Sequence, residues 1–262
     1  MKKLHAPFRW AGSKAKLTSE LFENFKSNDV YVEPFLGSGI ILFRLLQENR
    51  YKRYIVNDIN VSIISFYTRI QKNVDSVVSN LIKMKDAFNA SDDKQAFYYN
   101  ARIKFNEDKA NYILFWFLMK AGFNGLYREN KKGFFNGPFG HKEKITLNID
   151  MIYEISELIQ NVEFYNKDYQ DFYSMLDSSE DMYIYNDPPY CGSRKYTAKG
   201  FDNQEFSNYI NDLNCNIAIS DVDNELSNSI YSQFKKIFIK AQKRVINIRN
   251  INVVNEVLYV NY

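Results

Sequence analysis

The sequence predicts an α/β fold in which a parallel sheet flanked by helices is interrupted by a mainly helical insertion. Short β-rich runs alternate with helical patterns in the first quarter of the chain, an order that builds parallel sheets because each helix returns the chain to the same edge. The apolar period then becomes helical over about 61–160, and strand-like runs resume from there to the C-terminus. With 262 residues, 45% of them hydrophobic and 16% aromatic, the chain can bury one sizeable core, or one core plus an inserted lobe.

The first strand is Val30-Tyr31-Val32-Glu33, followed by a helical pattern from Ile40 to Asn49 and a second strand at Tyr54-Ile55-Val56-Asn57. Val77, Leu81 and Met84, then Ile113, Leu114, Phe117 and Leu118, recur at helical spacing. Strands return at Val162-Glu163-Phe164-Tyr165, Met182-Tyr183-Ile184-Tyr185, Asn216-Ile217-Ala218-Ile219 and Val254 to Val260. The expected organisation is a discontinuous sheet domain, 1–60 with 161–262, around a helical domain, 61–160. The sequence shows no internal repeat, Pro-rich linker or low-complexity tract.

No basic-then-apolar leader opens the sequence and no apolar run reaches the roughly 18 residues of a membrane span, so the expectation is a soluble, cytoplasmic protein. Cys191 and Cys215 suit a reducing compartment, and His5 and His141 stand too far apart for metal-ligand spacing, so no metal is expected. The net charge of +3 conceals a segregation. Residues 1–19, 120–144 and 235–249 together carry +15, which leaves −12 on the rest. Such blocks suit a surface that faces a polyanion, and solvated charged faces are the competing reading.

Tyr31-Val32-Glu33-Pro34-Phe35-Leu36-Gly37-Ser38-Gly39 places a glycine turn between a strand and a helix, where backbone can approach a ligand closely. The turn lacks the third glycine of the dinucleotide fingerprint and has Glu33 beside it, so a cationic, adenosine-bearing ligand fits better than a pyrophosphate. Asp58 follows the next strand, where a carboxylate can accept from ribose hydroxyls; a helix N-cap is the alternative. Asn186-Asp187-Pro188-Pro189-Tyr190 follows another strand. Its two prolines remove two backbone donors and leave acceptors, so an amino group is the natural guest: Asp187 and the Pro188 carbonyl take its hydrogens and Tyr190 stacks on the ring that bears it. A third stretch, Gly122-Phe123-Asn124-Gly125-Leu126-Tyr127-Arg128 through Gly140, mixes glycines, aromatics and basic residues. That mixture suits nucleic-acid contact, with loop packing as the alternative.

Phe8-Arg9-Trp10-Ala11-Gly12-Ser13-Lys14, Glu33 to Gly39, Asn57-Asp58-Ile59-Asn60, Phe123 to Arg128 and Asp187-Pro188-Pro189-Tyr190, in that order, resemble the Dam-like, D12 class (alpha group) of adenine-N6 DNA methyltransferases. The similarity runs through the closing Glu256-Val257-Leu258-Tyr259-Val260. It implies a Rossmann-like, S-adenosylmethionine-dependent methyltransferase sheet with an inserted target-recognition domain. It implies S-adenosylmethionine as donor, with S-adenosylhomocysteine as product, held by Trp10, Lys14, Glu33, Pro34, Phe35, Gly37, Gly39, Asp58, Ile59, Asp168 and Tyr169. Catalysis falls to Asp187, Pro188, Pro189 and Tyr190. The implied partner is double-stranded DNA, met by Arg9, Phe123, Asn124, Leu126, Arg128 and Pro138 at a GATC site, with no obligate protein partner and no membrane.

This sequence departs from the family pattern at Arg9, a usual lysine, at Ser38, a usual glycine, and at Lys243-Arg244-Val245-Ile246-Asn247, which lacks a longer Gly/Ser-rich insert. Cys191 adjoins the catalytic loop and is read as packing, because a cysteine nucleophile belongs to C5-cytosine chemistry. N4-cytosine methylation, methylation of RNA or of protein glutamine, and a catalytically silent DNA-binding regulator remain as alternatives. The acid at 187 stands against the first and the last.

Overall fold

The computed structural model describes residues 4–177, 181–192, 200–247 and 250–262, and the side chains of 242–252 lie outside the described set. Among the described residues seven strands form one sheet: β1 (Val30–Glu33), β2 (Arg53–Asn57), β3 (Val162–Tyr165), β4 (Met182–Asn186), β5 (Asn216–Val222), β6 (Lys235–Asn247) and β7 (Asn250–Val260), in the order β3-β2-β1-β4-β5-β7-β6. The first five pair in parallel, and β7 lies antiparallel between β5 and β6. The parallel order read in the first quarter of the chain thus holds through β5 and gives way at β7, because the chain returns directly from β6 instead of crossing over through a helix. β6 itself was not legible as a strand. It is an edge strand carrying Lys235, Lys236 and Lys240, residues that keep an exposed edge from pairing with another chain and also erase the apolar pattern.

Side-chain alternation gives the sheet two buried faces. Tyr31, Tyr54, Val56, Tyr183, Tyr185, Leu258 and Val260 enter one core. Val30, Val32, Ile55, Met182, Ile184, Val257 and Tyr259 enter the other. The first core also receives α1 (Thr18–Phe22), α2 (Ile40–Gln47) and the helices between β2 and β3: α3 (Val61–Lys72), α4 (Val74–Ala90), α5 (Lys94–Glu107), α6 (Tyr112–Ala121) and α7 (Ile149–Leu158). The second is covered by α8 (Tyr169–Tyr173), α9 (Asn203–Asn211) and α10 (Glu225–Ile230).

The abundance of asparagine has a local use. Asn60, Asn73, Asn111 and Asn148 cap α3, α4, α6 and α7, each side-chain oxygen accepting a backbone N–H of the first turn, and Asp93 does the same for α5. Each such cap is worth about 1 kcal/mol. Helix α6 is apolar on nearly every side and runs buried from Leu114 to Met119, as the central helix of a bundle must. No described helix is long and apolar enough to cross a membrane.

Phe115 of α6 is the junction between this bundle and the N-terminal segment. Its ring lies 4.9 Å from Phe8, 6.4 Å from Trp10 and 6.3 Å from Tyr127, centroid to centroid. Phe115→Ala is expected to lower unfolding stability by about 3–5 kcal/mol through lost burial and the cavity left behind, read as a shifted urea midpoint at unchanged slope.

Candidate active site

Neighbouring strands β1 and β4 lead into helices on opposite faces of the sheet, α2 on one and α9 on the other. A crevice must open where the chain diverges, at the strands' carboxyl ends. There the protein has a cavity of about 900 Å³ lined by Trp10, Lys14, Glu33, Pro34, Phe35, Gly37, Asp58, Ile59, Asp168, Tyr169 and the Asp187–Tyr190 loop. Gly39 does not line it and shapes it from behind. At φ +72° it turns the chain into α2, and a Cβ there would come 2.9 Å from the Phe43 ring.

Gly37, at φ +53°, donates its N–H to Asp58 Oδ2 at 2.8 Å, and a Cβ on it would stand 3.0 Å from Trp10. The other Asp58 oxygen accepts from the N–H of Asn60. Asn60, not Asp58, caps α3, so Asp58 holds the glycine turn against the β2 terminus. Burial pushes its carboxyl up to about 6 against the pull of these two donors. Burial likewise raises Glu33 well above the usual carboxylate range, although Tyr31 donates to it at 3.0 Å. Asp168 caps α8. Tyr169 packs 6.3 Å from Phe35 and 5.7 Å from Phe201, making an aromatic wall.

The Asn186–Tyr190 loop is tied down on all sides. Asn186 is fully buried, donating to the Ala218 carbonyl and accepting from the Tyr173 hydroxyl. Asn203 donates to the Pro189 carbonyl at 2.9 Å, and the Cys191 N–H donates to Asp221 at 3.1 Å. The Tyr190 hydroxyl donates to Glu256 of β7 at 2.9 Å. Lys14 Nζ lies 2.5 Å from both oxygens of Asp187 and 4.8 Å from the Tyr190 ring centroid. Cys191 itself packs in the second core as a free thiol that burial pushes upward, the state of an inert cysteine.

A second surface adjoins the crevice. From Gly125 to Arg128 burial alternates: Gly125 and Tyr127 point inward, Leu126 and Arg128 outward. Phe123 is 55% exposed, and Arg9, Asn124 and Pro138 are exposed beside it. The Phe123 N–H donates to the Pro138 carbonyl, Arg128 donates to Asn136, and Arg9 lies against Gly125. Burial, and then the nearby Arg9 charge, lowers the Lys120 ammonium from its ordinary value. Phe135 and Phe139 of the same stretch are buried and serve the core, while Phe134 is exposed.

Residues 10–247 match the family model of D12 class N6 adenine-specific DNA methyltransferases. The chain belongs to this family. It is 34% identical over 200 residues to Type II methyltransferase M.MjaIII of Methanocaldococcus jannaschii, covering 70% of this chain and 68% of that one. It is 32% identical to the DNA adenine methylase of Escherichia coli K12, covering 73% and 66%. With the DNA adenine methylase of Serratia marcescens it shares 30% identity over 98% of both chains. It is an adenine-specific DNA methyltransferase by family, and its mixed seven-stranded sheet suits that class.

In this methyltransferase the residues at the site that sequence reasoning did not single out include Phe201, which lines the cavity, and Glu256 and Asp221, which hold the loop from behind. Phe201 lies beyond the motif. Glu256 lies within the closing Glu256-Val257-Leu258-Tyr259-Val260 run, where nothing local signals that its carboxylate accepts from the Tyr190 hydroxyl of the loop. Asp221 is fully buried at the end of β5, accepting from the N–H groups of Cys191 and Val222; an acid straight after Ile217-Ala218-Ile219-Ser220 was the available signal. Of the three basic blocks, the last is partly neutralised, since Lys236 pairs with Asp223 and Lys240 with Glu20. Its residues from 242 onward have side chains outside the described set.

Burial raises the Asp221 carboxyl from 3.8 to about 6. The folded chain therefore binds this proton more tightly than the unfolded chain. The group's stabilising effect is fully present below about pH 4 and is lost as pH rises to about 6, on the order of 3 kcal/mol. Relative to Asp221→Asn, the wild type should lose stability across that window and hold constant above it, as measured by denaturant unfolding at a series of pH values.

Proposed function

We propose that this protein moves the methyl group of S-adenosylmethionine to the N6 amino group of an adenine swung out of double-stranded DNA, at a short site whose sequence is GATC. The observation that carries the reading is the placement of Asp187 and Pro188 at the end of β4, opening into the same cavity as Glu33, Phe35 and Asp58 at the ends of β1 and β2. One crevice thus offers an amine-accepting edge and a donor-sized recess.

The recess suits the donor by its chemistry. Glu33, Asp58 and Asp168 are carboxylates suited to a cation and to ribose hydroxyls, and Phe35 with Tyr169 supplies aromatic surface for a purine. When bound, S-adenosylmethionine supplies an electrophilic methyl group on a positively charged sulfur. Asp187 and the Pro188 carbonyl accept the two N6 hydrogens and turn the nitrogen lone pair out of conjugation. Tyr190 stacks on the ring. The loop's fixed hydrogen bonds to Tyr173, Asn203, Asp221 and Glu256 keep these acceptors in place before the base arrives, so little reorganisation remains when positive charge develops on nitrogen.

Extruding a base costs a few kcal/mol. Phe123, an exposed ring on the rim, is placed to fill the gap, with Asn124, Leu126, Arg128 and Pro138 beside it. Arg9 next to this loop can donate to guanine O6 and N7 as a lysine would. The helical stretch 61–160 serves as the target-recognition domain in this reading, and 1–60 with 161–262 as the catalytic domain. The relatives named DNA adenine methylase support adenine in DNA. Asp187 in place of serine favours adenine over cytosine.

Asp187→Ala is expected to abolish labelled-methyl transfer to DNA while leaving donor affinity, by calorimetry, within severalfold. Arg9→Ala should reduce discrimination for the site's guanine by about 1–3 kcal/mol, seen as methylation spreading to sites altered at that base. Sequencing N6-methyladenine in DNA from cells expressing the protein tests the site itself, and marks confined to another motif would overturn GATC.

A further inference from the structure

The Lys14 side chain is 4% exposed, and its ammonium has three kinds of neighbour: both oxygens of Asp187 at 2.5 Å, the Gly12 carbonyl at 2.8 Å and the face of the Tyr190 ring at 4.8 Å. A carboxylate, a backbone carbonyl and an aromatic face are what the proposed reading requires for the target amine and its ring. We infer that Lys14 stands in for the target base in the DNA-free protein, holding the Asp187 side chain in its orientation, and that an entering base must expel it. The inference rests on the reading of this loop as the site of amino methylation.

Charge requires the expulsion. The accepting nitrogen becomes positive as it gains the methyl group, and the sulfonium it faces is already positive. A full ammonium charge held 2.5 Å from Asp187 would cancel the attraction that this carboxylate exerts on both. Space requires it too, because the ammonium covers the Tyr190 face on which the base would stack. Before the base arrives the ammonium is an asset. It donates to both Asp187 oxygens and so fixes where they point. Lys14 is thus a positioning residue in the free protein and a competitor during base entry. It sits in a segment of turns between Trp10 and Thr18, with Gly12 at φ +78° and Gly12 and Ser13 exposed, so no helix or strand has to break for the side chain to leave.

Two measurements on the full chain test this. The first compares wild type with Lys14→Met in binding two duplexes, one with adenine and one with purine, which lacks the amino group, at the target position. The variant should bind both several-fold more tightly, by a similar factor, because the plug is lost whichever base enters. Unchanged or weaker binding of either duplex would overturn the inference. The second needs no variant: nitrogen NMR of the Lys14 ammonium in wild type should show slow hydrogen exchange in the free protein and at least tenfold faster exchange once a duplex containing the methylated site is bound. A protein that methylates adenine in DNA while this exchange stays unchanged overturns the placeholder alone. One that transfers no methyl group to DNA overturns the placeholder together with the reading on which it rests.

Discussion

Between β1 and β4 the sheet changes the direction in which it grows, and the rest of the molecule follows from that reversal. Strands β2 and β3 add on one side and β5, β7 and β6 on the other, so the connections from β1 and β4 must leave on opposite faces. Each face then needs its own apolar cover, which the alternating side chains of the strands supply in two separate cores. What neither core can close is the carboxyl end of the central pair. Every motif that carries chemistry borders that gap: the glycine turn after β1, Asp58 after β2, and Asp187 with its prolines after β4.

The gap is acidic and sheltered, a costly combination for a protein to maintain. Glu33, Asp58 and Asp221 are buried carboxylates whose proton affinities are all raised by loss of solvent, and Asp187 lies among them. Backbone N–H donors to Asp58 and Asp221, the Tyr31 hydroxyl on Glu33 and the Lys14 ammonium on Asp187 offset the cost. An acidic recess of this kind favours a cationic ligand over an anionic one. The same donors that make the charges tolerable also fix where the carboxylates point, so stability and orientation have a common source.

The rim is built differently, by anchoring exposed side chains on buried ones. Tyr127 packs between Trp10, Phe115 and Phe135 and donates to Glu129, which in turn pairs with Lys109. Between these fixed points Phe123, Leu126 and Arg128 face outward. A rim residue held this way reaches a partner with little loss of conformational freedom. The N-terminal segment joins the two regions, since Trp10 touches both the glycine turn and Tyr127 while Lys14 reaches Asp187.

The sequence by itself determined what depends on local chemistry. Short β-rich runs marked six of the seven strands, and helical spacing marked the stretch between β2 and β3. The string from Asn186 to Tyr190 and the aromatic-basic loop at 123–128 stood out because few local contexts call for those residues together. β6 escaped, since an edge strand is free to be charged and its lysines removed the apolar signal. Only the tertiary structure decided which side chains meet across the crevice. Lys14 and Asp187 lie 173 positions apart, and Tyr190 and Glu256 lie 66 apart. Nothing near either member of these pairs in the chain names its partner, because the sheet order brings them together. A carboxylate's role is set by the donors and charges around it, and that neighbourhood exists only once the strands are placed.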